Sequence, residues 1–155
     1  MRVTSFLAGM SLVLAACGGD KSANQAAPPA ATPPAEQPAA AAATGKVWDV
    51  NMDFDGKVGK FDPEALTIKA GDIVRFHNHT GGPHNVAFNS DSIPAGAEPV
   101  LTGAMKDVIG PLTGPLLVQP DATYDISFAG APPGDYYIHC TPHIAFKMHG
   151  KITVQ

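Results

Sequence analysis

Three side chains with an affinity for metals crowd one short segment: Cys140-Thr141-Pro142-His143-Ile144-Ala145-Phe146-Lys147-Met148. A thiol, an imidazole three residues on and a thioether five residues beyond that lie between two β-rich runs. A tight loop turns such side chains toward one point. A second imidazole, His84, stands far upstream in Gly81-Gly82-Pro83-His84-Asn85. Two His and one Cys in a trigonal set, with a weak axial Met, are the ligand pattern of blue-copper electron-transfer sites. Thiolate and thioether suit Cu(I), and the imidazoles also suit Cu(II). A site acceptable to both oxidation states rearranges little when an electron moves.

The cysteine count bears on the same point. The chain has two cysteines, Cys17 and Cys140. Cys17 follows a leader-like segment: Arg2 supplies a positive start, and Phe6 to Ala16 is an apolar run too short to span a bilayer. Leu14-Ala15-Ala16-Cys17 resembles a bacterial lipobox, in which the thiol becomes a lipid thioether. Residues 1–16 are expected to be a signal peptide. Residues 17–44 are then a lipidated Cys followed by an Ala/Pro-rich linker, without a large apolar residue to bury and semi-rigid through its prolines. Acyl chains on Cys17 would tie the protein to a membrane surface in the cell envelope, on its periplasmic or outer-membrane face. Cys140 is left as a lone thiol in an oxidising compartment, which needs a reason. An inert buried thiol, an intermolecular disulfide, a nucleophile and a metal ligand are the candidates.

Residues 45–155 are expected to form the folded domain that positions these groups. Val47 to Phe54, Leu66 to Lys69, Ile73 to His79, Asn85 to Phe88, Thr123 to Phe128, Asp135 to Cys140 and Lys151 to Val154 read as strands. In Ile73 to His79, Val74, Phe76 and Asn78 share one face, and Arg75, His77 and His79 the other. Gly and Pro are both abundant, at 16 and 15, and mark the turns. Many short strands with such turns imply an all-β sandwich or small barrel. Leu101 to Ile109 is expected to hold a short helix within a less regular insertion.

The pattern resembles the cupredoxin family, and its plastocyanin-like members in particular. Two blocks carry the resemblance: Gly82-Pro83-His84-Asn85-Val86-Ala87-Phe88 with Asp91-Ser92-Ile93-Pro94-Ala95-Gly96, and Tyr136 through His143, Met148 and Gly150 to Val154. The resemblance implies a Greek-key β-sandwich with one copper near one end, held by His84, Cys140, His143 and Met148. It also implies that Asn85 lends its backbone N–H to the Cys sulfur, while its side chain ties the two ligand loops together through Thr141. The implied function is single-electron transfer between redox proteins through a weak, transient contact. Pro83, Pro142, Ile144 and Phe146 would form an apolar docking collar around His143. The segment Val100 to Leu117 and the bulky Ile144, Phe146 and Lys147 depart from the plant plastocyanin pattern, which leaves the docking surface open.

Other function classes fare worse. With 15% charged residues and a net charge of −4, no basic stripe exists to neutralise phosphates, so no nucleic-acid partner is expected. A Cys–His nucleophile pair would lack a glycine-rich oxyanion motif and leave Met148 without a role, so no enzyme is expected. Copper storage or delivery through the same ligands is the alternative. His77 and His79, two apart on one strand face, are read as solvated side chains, with chelation of a stray divalent ion the lesser reading. His139 is expected to point outward, His149 to be exposed, and Tyr136, Tyr137, Phe76 and Phe88 to sit in or near the core. The domain is expected to be a monomer.

Overall fold

The structure is a computed structural model, and it describes residues 45–155. The expected leader, the lipidated Cys17 and the linker lie outside the described residues. Eight strands form two four-stranded sheets. They are β1 (Val47–Phe54), β2 (Gly59–Asp62), β3 (Ala65–Ile68), β4 (Ile73–Thr80), β5 (Ala87–Phe88), β6 (Thr123–Ser127), β7 (Gly134–His139) and β8 (His149–Val154). One sheet has the order β2-β1-β4-β6 and the other β3-β8-β7-β5. β1 runs parallel to β4 and β3 parallel to β8, while the remaining neighbours are antiparallel. The expected all-β sandwich is observed.

Alternation builds each sheet. In β4, Val74, Phe76 and Asn78 are buried and Arg75, His77 and His79 face outward, as the period of two requires. Aromatic contacts fill the core: Phe61 meets Phe76 of the same sheet edge-on at 6.1 Å, and Phe128, just after β6, meets Tyr136 of the other sheet at 5.4 Å. Burial pushes the Tyr136 phenol up to about 12, and its hydroxyl donates to Pro132 O at 2.7 Å. At the far end, Asp72 pins the start of β1 to the turn before β4. Its carboxylate accepts from Lys69 N, Lys46 N and the Trp48 indole, each at 2.9 to 3.0 Å. Those bonds, the one from Lys69 N foremost, hold its pKa below the usual carboxylate value.

Several boundaries differ from the sequence reading. β2 was not foreseen: Gly-Lys-Phe-Asp is short and only Gly59 and Phe61 are buried. β3 begins and ends one residue earlier than expected. The helix, α1, spans Ala97–Ala104 rather than starting at Leu101. Gly96, in the left-handed region at φ 82°, starts it, and Pro99 falls in its first turn, where no amide donor is needed. Met105 returns to extended backbone and ends it. Of the run Asn85 to Phe88, only Ala87–Phe88 pairs with β7. The run and His84 before it also bond to the insertion: His84 with Leu117, Gly114 N to Val86 O and Phe88 N to Leu112 O. Tyr137 is a correction: it is 52% exposed on the outer face of β7, because alternation sends Tyr136 and Ile138 inward.

Candidate metal centre

One end of the sandwich gathers the candidate ligands from two loops. The first follows β4. Gly81 lies so close to Phe54 that a Cβ there would collide with the Phe54 carbonyl oxygen. The chain then passes Gly82 and Pro83 to His84, whose backbone N–H and C=O both bond to Leu117, at 3.2 and 2.8 Å. The insertion that departs from the plant pattern thus backs the first ligand as an irregular edge strand.

The second loop joins β7 to β8. Cys140 N–H donates to Met148 O at 3.1 Å and closes the loop at its base. Inside, residues Thr141–Phe146 wind as 3₁₀ turns with Pro142 near the start. His143 N–H donates back to Cys140 O at 3.1 Å, and Met148 N–H to His143 O at 3.3 Å. Three residues per turn bring positions three apart onto one side. Cys140 caps this segment in extended backbone and His143 sits at its kink, and the His143 N–H to Cys140 O bond closes the turn that brings both side chains to one point. Lys147, in the left-handed region at φ 60°, reverses the chain so that Met148 turns inward. Met148 is fully buried, and Gly59 of β2 leaves the space for it: a Cβ at 59 would come within 3.1 Å of the Met148 sulfur.

His84 Nδ1, Cys140 Sγ and His143 Nδ1 converge. The separations are 3.1 Å between the two nitrogens, 3.6 Å from sulfur to His84 and 3.5 Å from sulfur to His143. The point equidistant from these three atoms lies about 2 Å from each, the reach of a metal–nitrogen bond. All three residues are buried. His84 Nε2 lies 2.8 Å from Thr80 O. A carbonyl only accepts, so Nε2 carries the proton and the Nδ1 lone pair faces the centre. Burial pushes both imidazoles below their ordinary value, His143 also through its neighbour His84. Burial raises the Cys140 thiol, offset by N–H groups of Asn85 and His143. Neutral imidazoles and a thiol that sheds its proton to a metal are a donor set ready for a soft or borderline ion.

Asn85, beside the first ligand, reaches the second loop. Its backbone N–H is one of the groups that offset the raised Cys140 thiol. Its side-chain Oδ1 accepts from Thr141 N at 2.8 Å and from Thr141 Oγ1 at 2.7 Å, joining the two ligand loops. Of the residues expected to form a docking collar, Ile144 is 50% and Phe146 41% accessible, and Pro83 and Pro142 are open to solvent. One residue escaped the sequence reading. Phe54, at the end of β1, stacks on the His143 ring with centroids 4.3 Å apart and planes 28° apart. Its position before a turn gave no signal, since only the sheet-to-loop packing brings it there.

His77 and His79 stay apart from this centre. They are not simply solvated: His77 Nε2 meets Asp49 at 2.8 Å and His79 Nδ1 meets Asp53 at 2.7 Å. His139 and His149 flank the loop on the outer face.

A two-sheet sandwich with a buried His–Cys–His cluster and an inward Met at one end defines the cupredoxin class. The chain belongs to the plastocyanin/azurin family of copper binding proteins, whose family model matches residues 48–155. It is 34% identical over 106 residues to chloroplastic plastocyanin of Hordeum vulgare, covering 68% of this chain and 61% of that protein. It is 37% identical over 106 residues to that of Chlamydomonas reinhardtii, covering 68% and 66%. Among solved structures, the oxidised form of plastocyanin from Dryopteris crassirhizoma aligns at a TM-score of 0.50 and 31% identity, covering 70% of this chain and all of that one.

Proposed function

We propose that the protein is a single-electron carrier that holds one type 1 copper through His84, Cys140, His143 and Met148. The convergence of two imidazole Nδ1 atoms on one buried thiol sulfur, in a member of a copper-binding family, carries this reading. When bound, the copper supplies one-electron Cu(II)/Cu(I) chemistry. The chain's own residues do the rest. Thr80 O fixes the His84 tautomer, and Asn85 locks the two loops and donates to the sulfur. Burial of every ligand excludes water and holds the set rigid, so that little must reorganise between oxidation states. The same burial slows metal exchange and favours electron transfer over storage or delivery. No bond-making chemistry is assigned.

His143 is 7% accessible, and Pro83, Pro142, Ile144 and Phe146 would form an apolar collar around its ring. That patch suits a brief contact with a redox protein, with the electron passing through the imidazole. Domain 45–155 would be a monomer held at the cell envelope by lipid on Cys17 and the 17–44 linker, after removal of 1–16. Among the described residues no helix is long and apolar enough to cross a membrane.

The decisive experiment is a visible and EPR spectrum of the copper-loaded protein. An intense thiolate-to-copper band near 600 nm, roughly where such sites absorb, is expected, and Cys140→Ser is expected to abolish it. A colourless parent overturns the proposal. Ile144→Glu is expected to slow transfer with the native partner and keep the band; an unchanged rate removes the collar. Cys17→Ser is expected to release the protein from the membrane fraction; retention there removes the anchor.

A further inference from the structure

The centre leaves two neighbouring histidines unused. His139 closes β7 and His149 opens β8, and the two are partners across that antiparallel pair. Their geometry follows from the loop. Cys140 N–H donates to Met148 O across the base of the loop, while Met148 N–H turns to His143 O. The next pair outward, His139 and His149, is then the non-hydrogen-bonded kind, in which side chains lie closest. Cys140 and Met148 turn inward, so alternation turns both imidazoles to the outer face, with Cβ atoms about 5 Å apart. There they line one concavity of about 160 Å³, with Asn89 beside them and Ile144 on its border. His139 is half-buried and His149 exposed. Among the described residues neither ring has a hydrogen-bond or carboxylate partner, unlike His77 and His79.

We propose that His139 and His149 form a second metal site, at the surface, for a divalent transition-metal cation. Imidazole suits copper, nickel and zinc, and the general order of affinities puts Cu(II) first. Two rings from one cross-strand pair supply two nitrogens, and water completes the shell. A bound ion places positive charge beside Ile144, at the edge of the proposed collar, and so biases which partner surfaces approach. The site does not depend on electron transfer at Cys140, and its test separates the two.

The full chain, with its Cys140 centre already filled, is titrated with Cu(II) and followed by EPR and by the blue band. One further Cu(II) per chain is expected, with nitrogen hyperfine structure and an undiminished blue band. His149→Gln is expected to lose that second ion and keep the band, and the double variant His77→Gln/His79→Gln to keep both. Retention of the ion in His149→Gln, its loss in the double variant, or no second ion in the parent overturns the proposal. Should His149→Gln disturb the blue centre, Zn(II) is added to the reduced, Cu(I)-loaded parent. Joint shifts of the His139 and His149 ring-proton NMR signals support the site, and shifts confined to other histidines overturn it.

Discussion

His77 and His79 sit on the open face of β4, and His84 and His143 sit at the buried end of the sandwich. The residue type is the same, and the surroundings assign different work. On the open face each ring is held by a carboxylate, Asp49 or Asp53, at 2.8 and 2.7 Å. At the buried end no carboxylate touches a ring. His84 is held by a carbonyl oxygen and His143 by a stacked Phe54. A carbonyl and an aromatic face fix a ring without consuming the nitrogen that must face a metal. A carboxylate placed against the metal-facing nitrogen would occupy it and favour its protonation. The lesson is that a histidine becomes a ligand through what its neighbours leave free.

Three substitutions test the contrast. Asn85→Ala strikes the tie between the loops and leaves Thr141 N–H and its hydroxyl without their acceptor. A loss of about 2 kcal/mol is expected for the metal-free protein, measured by urea unfolding. A change within error would show that the loops hold each other by other means. Phe54→Ala removes the stack on His143, worth about 1 kcal/mol beyond the area it buries. Faster copper loss to a chelator is expected, with the blue band retained; an unchanged rate would reduce Phe54 to ordinary packing. His77→Gln should do least. Its pair with Asp49 is partly exposed, and such pairs contribute less than about 1 kcal/mol. The blue band should not move, and a bleached band would mean that the open face is coupled to the centre after all.

The domain's surface holds the same contrast in its aromatics. Tyr136 and Tyr137 are adjacent and of one type, yet Tyr136 is fully buried and Tyr137 is 52% exposed. The strand pattern contains the answer, since alternation allows only one of two neighbours inside. Applying the period of two to β7 from Cys140 backward places Ile138 and Tyr136 inward and Tyr137 out. The helix was harder to place. The start of α1 is set by the left-handed Gly96, and a proline in the first turn reads locally as a breaker, although it is tolerated there. β2 carries too few apolar residues to stand out before β1 and Met148 give it something to cover.

The candidate ligand types and the Cys140-x₂-His143-x₄-Met148 loop were legible in the chain, because spacing within one tight turn is a local property that a short i to i+3 turn converts into a shared direction. The strand faces were legible too, through alternation. Packing was needed to show that His84, 56 residues before Cys140, meets it at 3.6 Å, that Phe54 lies on His143, and that the 111–118 stretch backs the first ligand. Those contacts join segments distant in the chain, and their partners are chosen by how two sheets pack, which no local spacing encodes.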